Sequence, residues 1–366
     1  MTPIKPLSAG EPAPWFSAAT GNTSEKVAFD ELAGRHIVLF FFGSARGPEI
    51  AKTLVTFGRH NDLFDHKRAL FLGVSNDPDD FHHGRVHQRP PGQLFVLDTD
   101  ALVARHYGLA DPEPAATHIR PTAFILSPTL QILEIVPFTE PAAFTERVIA
   151  LLREYLPRPS RAGNAPVLHV PNVFDRAFCR ELVSLYEAAG GREIGAIEKE
   201  GKIVEKFDPA FRKRLDYFIS DATALQRTRD LLERRLLPMV YRAFQFSTTR
   251  IERYLVGRYD AETGGHFRPH RDNTAPVVAH RRFAVTINLN EGYEGGDLRF
   301  PEFGSETYRA PPGDAIVFSC SLLHEVTPVT RDHRYAFISF FYDERSQQMR
   351  EAYMKSMAQT QTPTYV

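Results

Sequence analysis

Cysteine is nearly missing from this 366-residue chain: there are two, Cys179 and Cys320, and none before residue 179. Both sit in apolar-patterned segments, and the opening, Met1-Thr-Pro-Ile-Lys-Pro-Leu-Ser-Ala-Gly10, lacks the apolar core of a secretory signal. The expectation is two buried, reduced thiols in a cytoplasmic protein rather than a disulfide-stapled secreted domain. Net charge is equally scarce, −1 from 44 basic and 45 acidic residues, which gives no electrostatic case for nucleic acid or an anionic membrane as partner. Arg212-Lys213-Arg214 and Arg234-Arg235 read as solvated helix faces. No apolar run approaches the roughly 20 residues of a membrane span, so no membrane is expected, and no Gly-rich loop opens a helix to cradle phosphate. What is present, 43% apolar and 24% charged residues, is ordinary for a globular chain, and the length exceeds what one core usually organises. Two domains follow.

Up to Pro157 the pattern alternates strands with helices. His36-Ile-Val-Leu-Phe-Phe-Phe42 is a continuous apolar run of the kind found in a strand covered on both faces. Pro48 to Phe64 reads as a helix, 69–75 and 93–98 as strands, 101–107 as a helix, 122–126 with 131–136 as a hairpin, and 141–155 as a closing helix. This order implies an α/β sandwich over 1–157. Residues 158–165, rich in Pro, Ser and Gly, read as a linker to a second domain at 166–366.

The first half resembles the thioredoxin-like peroxiredoxins in Gly10-Glu-Pro-Ala-Pro-Trp-Phe16, Leu72-Gly-Val-Ser75 and Ile119-Arg-Pro-Thr122. The resemblance implies a cis bond at Pro121. It also implies a reactive cysteine after the first core strand, where this chain reads Gly43-Ser-Ala-Arg-Gly-Pro-Glu49. A thiolate is the nucleophile of that chemistry, so the reading is a redoxin fold without redoxin catalysis. Ser44 has no evident general base to replace it.

In the second half Asp175 reads as the N-cap of an amphipathic helix that Gly190-Gly191 ends, and Asp221 to Phe246 as a long helix kinked by Pro238. After Thr248 the chain turns to short strands, 251–259, 282–290, 296–301, 314–323 and 334–342, parted by Gly, Pro and Asp turns. Two antiparallel sheets in a jelly roll, a double-stranded β-helix with flanking helices, fit this pattern.

Chemistry gathers at Tyr259 to Asp272. On an extended strand His270 and Asp272 share one side and can offer an imidazole nitrogen and a carboxylate oxygen to one ion. His324, at the end of the 314–323 run, is the distant third ligand. Two imidazoles and a carboxylate on one face leave positions open, the donor set of non-haem iron(II) oxygenases. His-x-Asp alone is weak, since His60-Asn61-Asp62 repeats it in a stretch that reads as helical. The order Tyr259, His270-x-Asp272, Leu289-Asn290, Gly295-Gly296-x-Leu298, His324, Arg334 is what distinguishes the later site.

That order, over about 166–344, resembles the prolyl 4-hydroxylase-like branch of the iron(II)/2-oxoglutarate dioxygenases. The resemblance implies Fe(II) on His270, Asp272 and His324, with 2-oxoglutarate and O2 as cosubstrates and ascorbate as reductant. It places the far carboxylate of 2-oxoglutarate on Arg334, whose planar fork suits bidentate pairing, with Tyr259 donating to the same carboxylate. Thr286 and Asn288 share the polar face of their strand, and Asn288 is the candidate third contact. The implied activity is hydroxylation of a C–H bond with release of succinate, on a protein or peptide side chain, proline among them, or on a small metabolite. The redoxin-like half is then a scaffold or docking module. Two rival readings use the same residues: a catalytically silent interaction protein, and a cupin-like metal enzyme that uses no oxo acid.

Overall fold

The computed structural model describes residues 6–21, 26–65, 67–110, 118–157, 163–194, 196–199, 202–205 and 208–360. Most of the expected linker, residues 158–162, lies outside the described residues. The chain divides into two compact units, Met1–Asn164 with Pro301–Gly304, and Ala165–Phe300 with Ser305–Val366.

In the first unit seven strands run in the order Lys26–Ala28, Ser17–Ala19, Gln93–Leu97, Ala69–Ser75, His36–Gly43, Thr122–Leu126, Ile132–Pro137. The central pairs are parallel and the last three strands antiparallel. Phe40, Phe42, Phe57, Phe71, Phe95 and Phe144 fill one core between the sheet and the helices Pro48–Phe57 and Pro141–Tyr155. This is the expected α/β sandwich. The first helix stops at Phe57, not Phe64, because Gly58 follows and the chain turns, which puts His60-Asn61-Asp62 in a turn. The cis bond expected at Pro121 is absent: among the described residues the cis peptide is Pro90–Pro91. Arg120 N–H to Leu109 O and Phe138 N–H to Pro121 O, both 2.9 Å, hold the segment extended with a trans bond.

The second unit is a jelly roll. Its larger sheet runs Leu215–Phe218, Arg250–Asp260, His333–Tyr342, Phe283–Asn288, Ala315–Ser319, Leu168–Val170, and its smaller sheet Arg212–Lys213, His266–His270, His324–Val326, Leu298–Arg299, Thr307–Tyr308. All of these pairings are antiparallel. Alternation sorts the larger sheet: Val256, Val285, Ile287, Val317, Phe337 and Phe341 pack outward against helix residues such as Phe178, Leu182, Leu232 and Val240. Thr286, Asn288, Arg334, Ala336, Ile338 and Phe340 are left on the inner face. Asp175 caps its helix through Phe178 N–H at 2.9 Å, and Asp221 caps the next through Ala224 N–H at 2.8 Å. The long helix after Asp221 does not simply kink. Ala222–Leu231 passes into a π-helical stretch, Leu232–Leu236, and resumes at Leu237–Phe244. Pro238 has no N–H and its ring opposes the carbonyl four residues back, so the turn before it widens to i+5 bonding.

Candidate active site

His270 is the last residue of its strand and lies directly opposite His324, the first residue of the neighbouring one. Asp272 is beyond the strand, in a turn fixed by its N–H to Cys320 O at 3.0 Å, so strand alternation is not what aims its carboxylate. His324 also arrives differently from expectation. The strand of the larger sheet ends at Ser319, and a turn over 320–323 carries the chain across to the smaller sheet. Both histidines therefore stand on one sheet.

His270 Nε2 lies 3.6 Å from Asp272 Oδ1, His324 Nε2 lies 3.4 Å from Asp272 Oδ2, and the three ligand atoms fall within 4.8 Å of one another. Each imidazole is oriented by its other nitrogen: His270 Nδ1 bonds Arg268 O at 2.7 Å and His324 Nδ1 bonds Leu322 O at 3.0 Å. A carbonyl only accepts, so both Nδ1 atoms carry the proton and both Nε2 lone pairs face the carboxylate. Burial, and then His270 beside it, push the His324 imidazole down to about 4. Burial raises the Asp272 carboxyl, but the histidines and Arg281 outweigh it and hold the group well below the usual carboxylate range. Three acceptors converge with no proton to share, an arrangement that a cation relieves. The donor set thus fits a divalent metal. Phe267 stacks on His270 with centroids 3.6 Å apart, and Phe318 packs on His324 at 4.7 Å.

A small cavity, partly open to solvent, is lined by Thr286, Asn288, Tyr293, Gly296, Leu298 and Arg334 among others. Arg334 is buried, its Nη2 lies 3.4 Å from Thr286 Oγ1, and its Nη1 has no partner among the described residues. An unpaired buried guanidinium nitrogen facing a cavity fits an anionic ligand. Tyr259 is paired with Arg334 across the strands, and its ring lies under the guanidinium at 5.4 Å. Its hydroxyl accepts from Arg214 Nη1 at 3.3 Å, so Tyr259 is a support for Arg334 first. Asn288 is more constrained than expected: Nδ2 donates to Asn290 O and Ala310 O, and Oδ1 accepts from the Tyr293 hydroxyl at 3.0 Å. It builds the wall and has little left for a ligand.

Tyr293, Arg309 and Arg214 were not visible as site residues from sequence patterns. Arg309 braces the Gly295 turn by donating to Tyr293 O and Gly295 O, and Arg214, held by Asp216, reaches Tyr259 from between the short strands Arg212–Lys213 and Leu215–Phe218, so the solvated helix face expected at 212–214 is instead extended, with Arg214 buried. For Tyr293 its place two residues before Gly295 is the signal that could have found it. The spare histidines are engaged elsewhere: His280 with Glu252, His266 with Gly264 O, and His333 beside Asp260.

Residues 254–342 match the family model of the 2OG-Fe(II) oxygenase superfamily, and residues 9–135 that of the AhpC/TSA family. A PKHD-type hydroxylase of Burkholderia lata is 30% identical over 192 residues, covering 48% of this chain and 77% of that protein. The chain belongs to the 2OG-Fe(II) oxygenase superfamily. A PKHD-type hydroxylase of Phenylobacterium zucineum is likewise 30% identical over 185 residues, with 48% and 77% covered. Among solved structures, a Pseudomonas putida prolyl-4-hydroxylase aligns with 50% of this chain and 94% of its own at 19% identity and a TM-score of 0.39. Peroxidoxin BcpB of Mycobacterium tuberculosis aligns with 40% of this chain and 97% of its own at 20% identity and a TM-score of 0.36. The superfamily implies Fe(II) and 2-oxoglutarate for the oxygenase unit, and the residues above fit both.

In the redoxin-like unit the loop after His36–Gly43 carries Ser44, whose hydroxyl donates to Asp77 Oδ2 at 2.7 Å. A carboxylate partner therefore exists, contrary to expectation. It is a poor base: burial raises the Asp77 carboxyl, but Ser44, Arg46 and Arg85 together hold it below the ordinary value. Among the described residues of this unit no thiol is present.

Proposed function

We propose that the second unit is an iron(II)- and 2-oxoglutarate-dependent hydroxylase with His270, Asp272 and His324 as metal ligands. The observation that carries this reading is the convergence of three acceptor atoms within 4.8 Å, each imidazole locked by a carbonyl on Nδ1. Iron held there would supply the oxygen activation that couples decarboxylation of 2-oxoglutarate to succinate with hydroxylation of a C–H bond. Arg334 takes the far carboxylate of 2-oxoglutarate through its unpartnered Nη1, with the Thr286 hydroxyl alongside. Tyr259 holds the guanidinium in place, and Arg214 with Asp216 holds Tyr259. Asn288 and Tyr293 keep the wall rigid. Phe267 and Phe318 shield the imidazoles from water.

A protein or peptide side chain, with proline among the targets, is the preferred prime substrate over a small metabolite, because a fused thioredoxin-like unit is a natural docking module. That unit acts as scaffold or docking surface and not as a peroxidase. Two free, buried cysteines suit a cytoplasmic setting, and no helix among the described residues is long and apolar enough to cross a membrane. The test is anaerobic iron loading followed by addition of 2-oxoglutarate, then air. Stoichiometric iron, a visible spectrum perturbed by 2-oxoglutarate and succinate formation are expected, and all three should vanish in His270→Ala and Asp272→Ala. Wild-type iron content and succinate in His270→Ala overturns the ligand assignment; a metal spectrum indifferent to 2-oxoglutarate moves the reading to a cupin-like enzyme.

A further inference from the structure

Asn290 stands two residues beyond the strand Phe283–Asn288. Asn288 is paired with Ala336, so in the same register Asn290 falls opposite Arg334, where the pairing of the two strands has stopped. Leu289 N–H still reaches Tyr335 O at 3.0 Å. From there a side chain takes over. Asn290 Nδ2 donates to His333 O at 2.7 Å, and Asn290 Oδ1 accepts from Tyr335 N–H at 2.8 Å. One planar amide thus satisfies the carbonyl before Arg334 and the N–H after it. In an extended strand those two groups face the same side, so the amide replaces the strand residue that is missing from the ladder.

The position of Arg334 makes such a hold necessary. It is the second residue of its strand, His333–Tyr342, and Asp332 just before has a left-handed backbone, φ 59°. On one side Arg334 is paired with Tyr259; on the other the ladder with Phe283–Asn288 ends at Ala336 and the Asn290 amide continues it. Tyr335 is tied outward as well: its hydroxyl donates to Glu187 of the helix Arg176–Ala189, and its ring packs on Tyr186 with centroids 5.4 Å apart. Asn290 O accepts from Asn288 Nδ2 at 2.8 Å, which joins the clamp to the wall of the Arg334 cavity. A guanidinium at the end of a long side chain magnifies any tilt of its backbone, and here the buried Nη1 is the open donor. An amide that merely closed its own turn would bond nearby residues. Both bonds of this one span 43 and 45 residues, to the segment that carries Arg334.

We propose that Asn290 is a positioning residue for 2-oxoglutarate: its side-chain amide clamps the peptides on both sides of Arg334 and so sets where the guanidinium meets the far carboxylate. The proposal rests on the oxygenase reading above. Asn290 touches no cosubstrate in this role and acts through Arg334. Asn290→Asp is the sharpest probe, because the two side chains have the same shape. The carboxylate still accepts from Tyr335 N–H, but it faces His333 O with no proton to donate, so an attraction becomes a repulsion.

The experiment is an anaerobic titration of the Fe(II)-loaded full chain, read from its visible spectrum, with 2-oxoglutarate and with 2-oxobutyrate, which keeps the oxo acid end and lacks the far carboxylate. The wild type should bind 2-oxoglutarate much the tighter of the two. Asn290→Asp and Asn290→Ala should each weaken 2-oxoglutarate about tenfold or more, with iron content and the affinity for 2-oxobutyrate held within about twofold. Backbone amide exchange of Tyr335, followed without metal or cosubstrate, should be slow in the wild type and faster in both variants. Equal weakening of the two oxo acids, or undiminished binding of 2-oxoglutarate, overturns the proposal. So does fast exchange of the Tyr335 amide in the wild type, or loss of the cooperative melt in both variants, which would make Asn290 a residue of the fold alone. A wild-type spectrum indifferent to 2-oxoglutarate overturns the oxygenase reading and this proposal with it, whereas a wild type that prefers 2-oxoglutarate and variants that prefer it as strongly overturn the clamp only.

Discussion

Arg334 is buried, leans on Tyr259 and leaves Nη1 open toward the cavity. Removing a charge that pairs with a buried carboxylate costs ~2–5 kcal/mol, so Arg334→Ala should raise the half-saturating 2-oxoglutarate concentration roughly 30-fold or more while iron content holds. An unchanged requirement would move the carboxylate to another cation; Arg282 and Arg299 are poor substitutes, being tied to Ser346 and Glu325. His324 makes a prediction about pH. Its folded value, about 4, lies below the ordinary imidazole value of 6.5, so between these pH values the unfolded chain binds a proton that the folded chain refuses. Stability from this group is complete above about 6.5 and is lost as pH falls toward 4, on the order of 2 kcal/mol by pH 5. Thermal melting of the metal-free protein should drop between pH 7.5 and 5, and by a smaller amount in His324→Gln; an equal drop in both would mean that His324 is not buried neutral.

The Gly295-Gly296 turn shows how an element without chemistry of its own sets the site. Both glycines have positive φ, and a Cβ on Gly296 would meet Val329 Cγ2 at 2.7 Å and Arg334 Cδ at 3.2 Å. Gly296→Ala should therefore displace Arg334, raising the 2-oxoglutarate requirement several-fold with iron binding retained, measured by titration of succinate formation; an unaffected requirement would show that Arg334 does not need this packing. The turn also marks the limit of what patterning can tell. Strand alternation placed Thr286 and Asn288 on the inner face, because period-two burial is a local signal. It did not place Asp272 or His324, since both are aimed by turns whose hydrogen bonds, Asp272 N–H to Cys320 O above all, join segments distant in sequence. Likewise Asn288 was legible as an inward amide but not as one already saturated, because Ala310 and Tyr293 come from loops that have no periodicity. The π-helical stretch before Pro238 was legible as a break and not as its form.

The two units have separate cores, and this permits a test by dissection. The core cluster around Phe40 and Phe71 lies between Val38 and Leu156, and the stacked pair Phe16 and Phe29 also falls within residues 1–157, a span of ordinary domain size. A fragment of residues 1–157 should therefore fold alone, with a cooperative melt. It should reduce no peroxide with any thiol donor, for two reasons. The sequence has no cysteine before Cys179, and Ser44 donates its proton to a carboxylate that Arg46 and Arg85 keep ionised and occupied. Replacing a thiolate by this hydroxyl leaves a weak nucleophile with no base strong enough to activate it. The complementary fragment, 160–366, holds both sheets of the jelly roll and every residue of the candidate site. It should take up iron and 2-oxoglutarate as the full chain does, with slower turnover of the true prime substrate if the redoxin-like unit docks it. Peroxidase turnover by 1–157 would overturn the inert reading of the first unit, and full substrate turnover by 160–366 alone would remove the docking role.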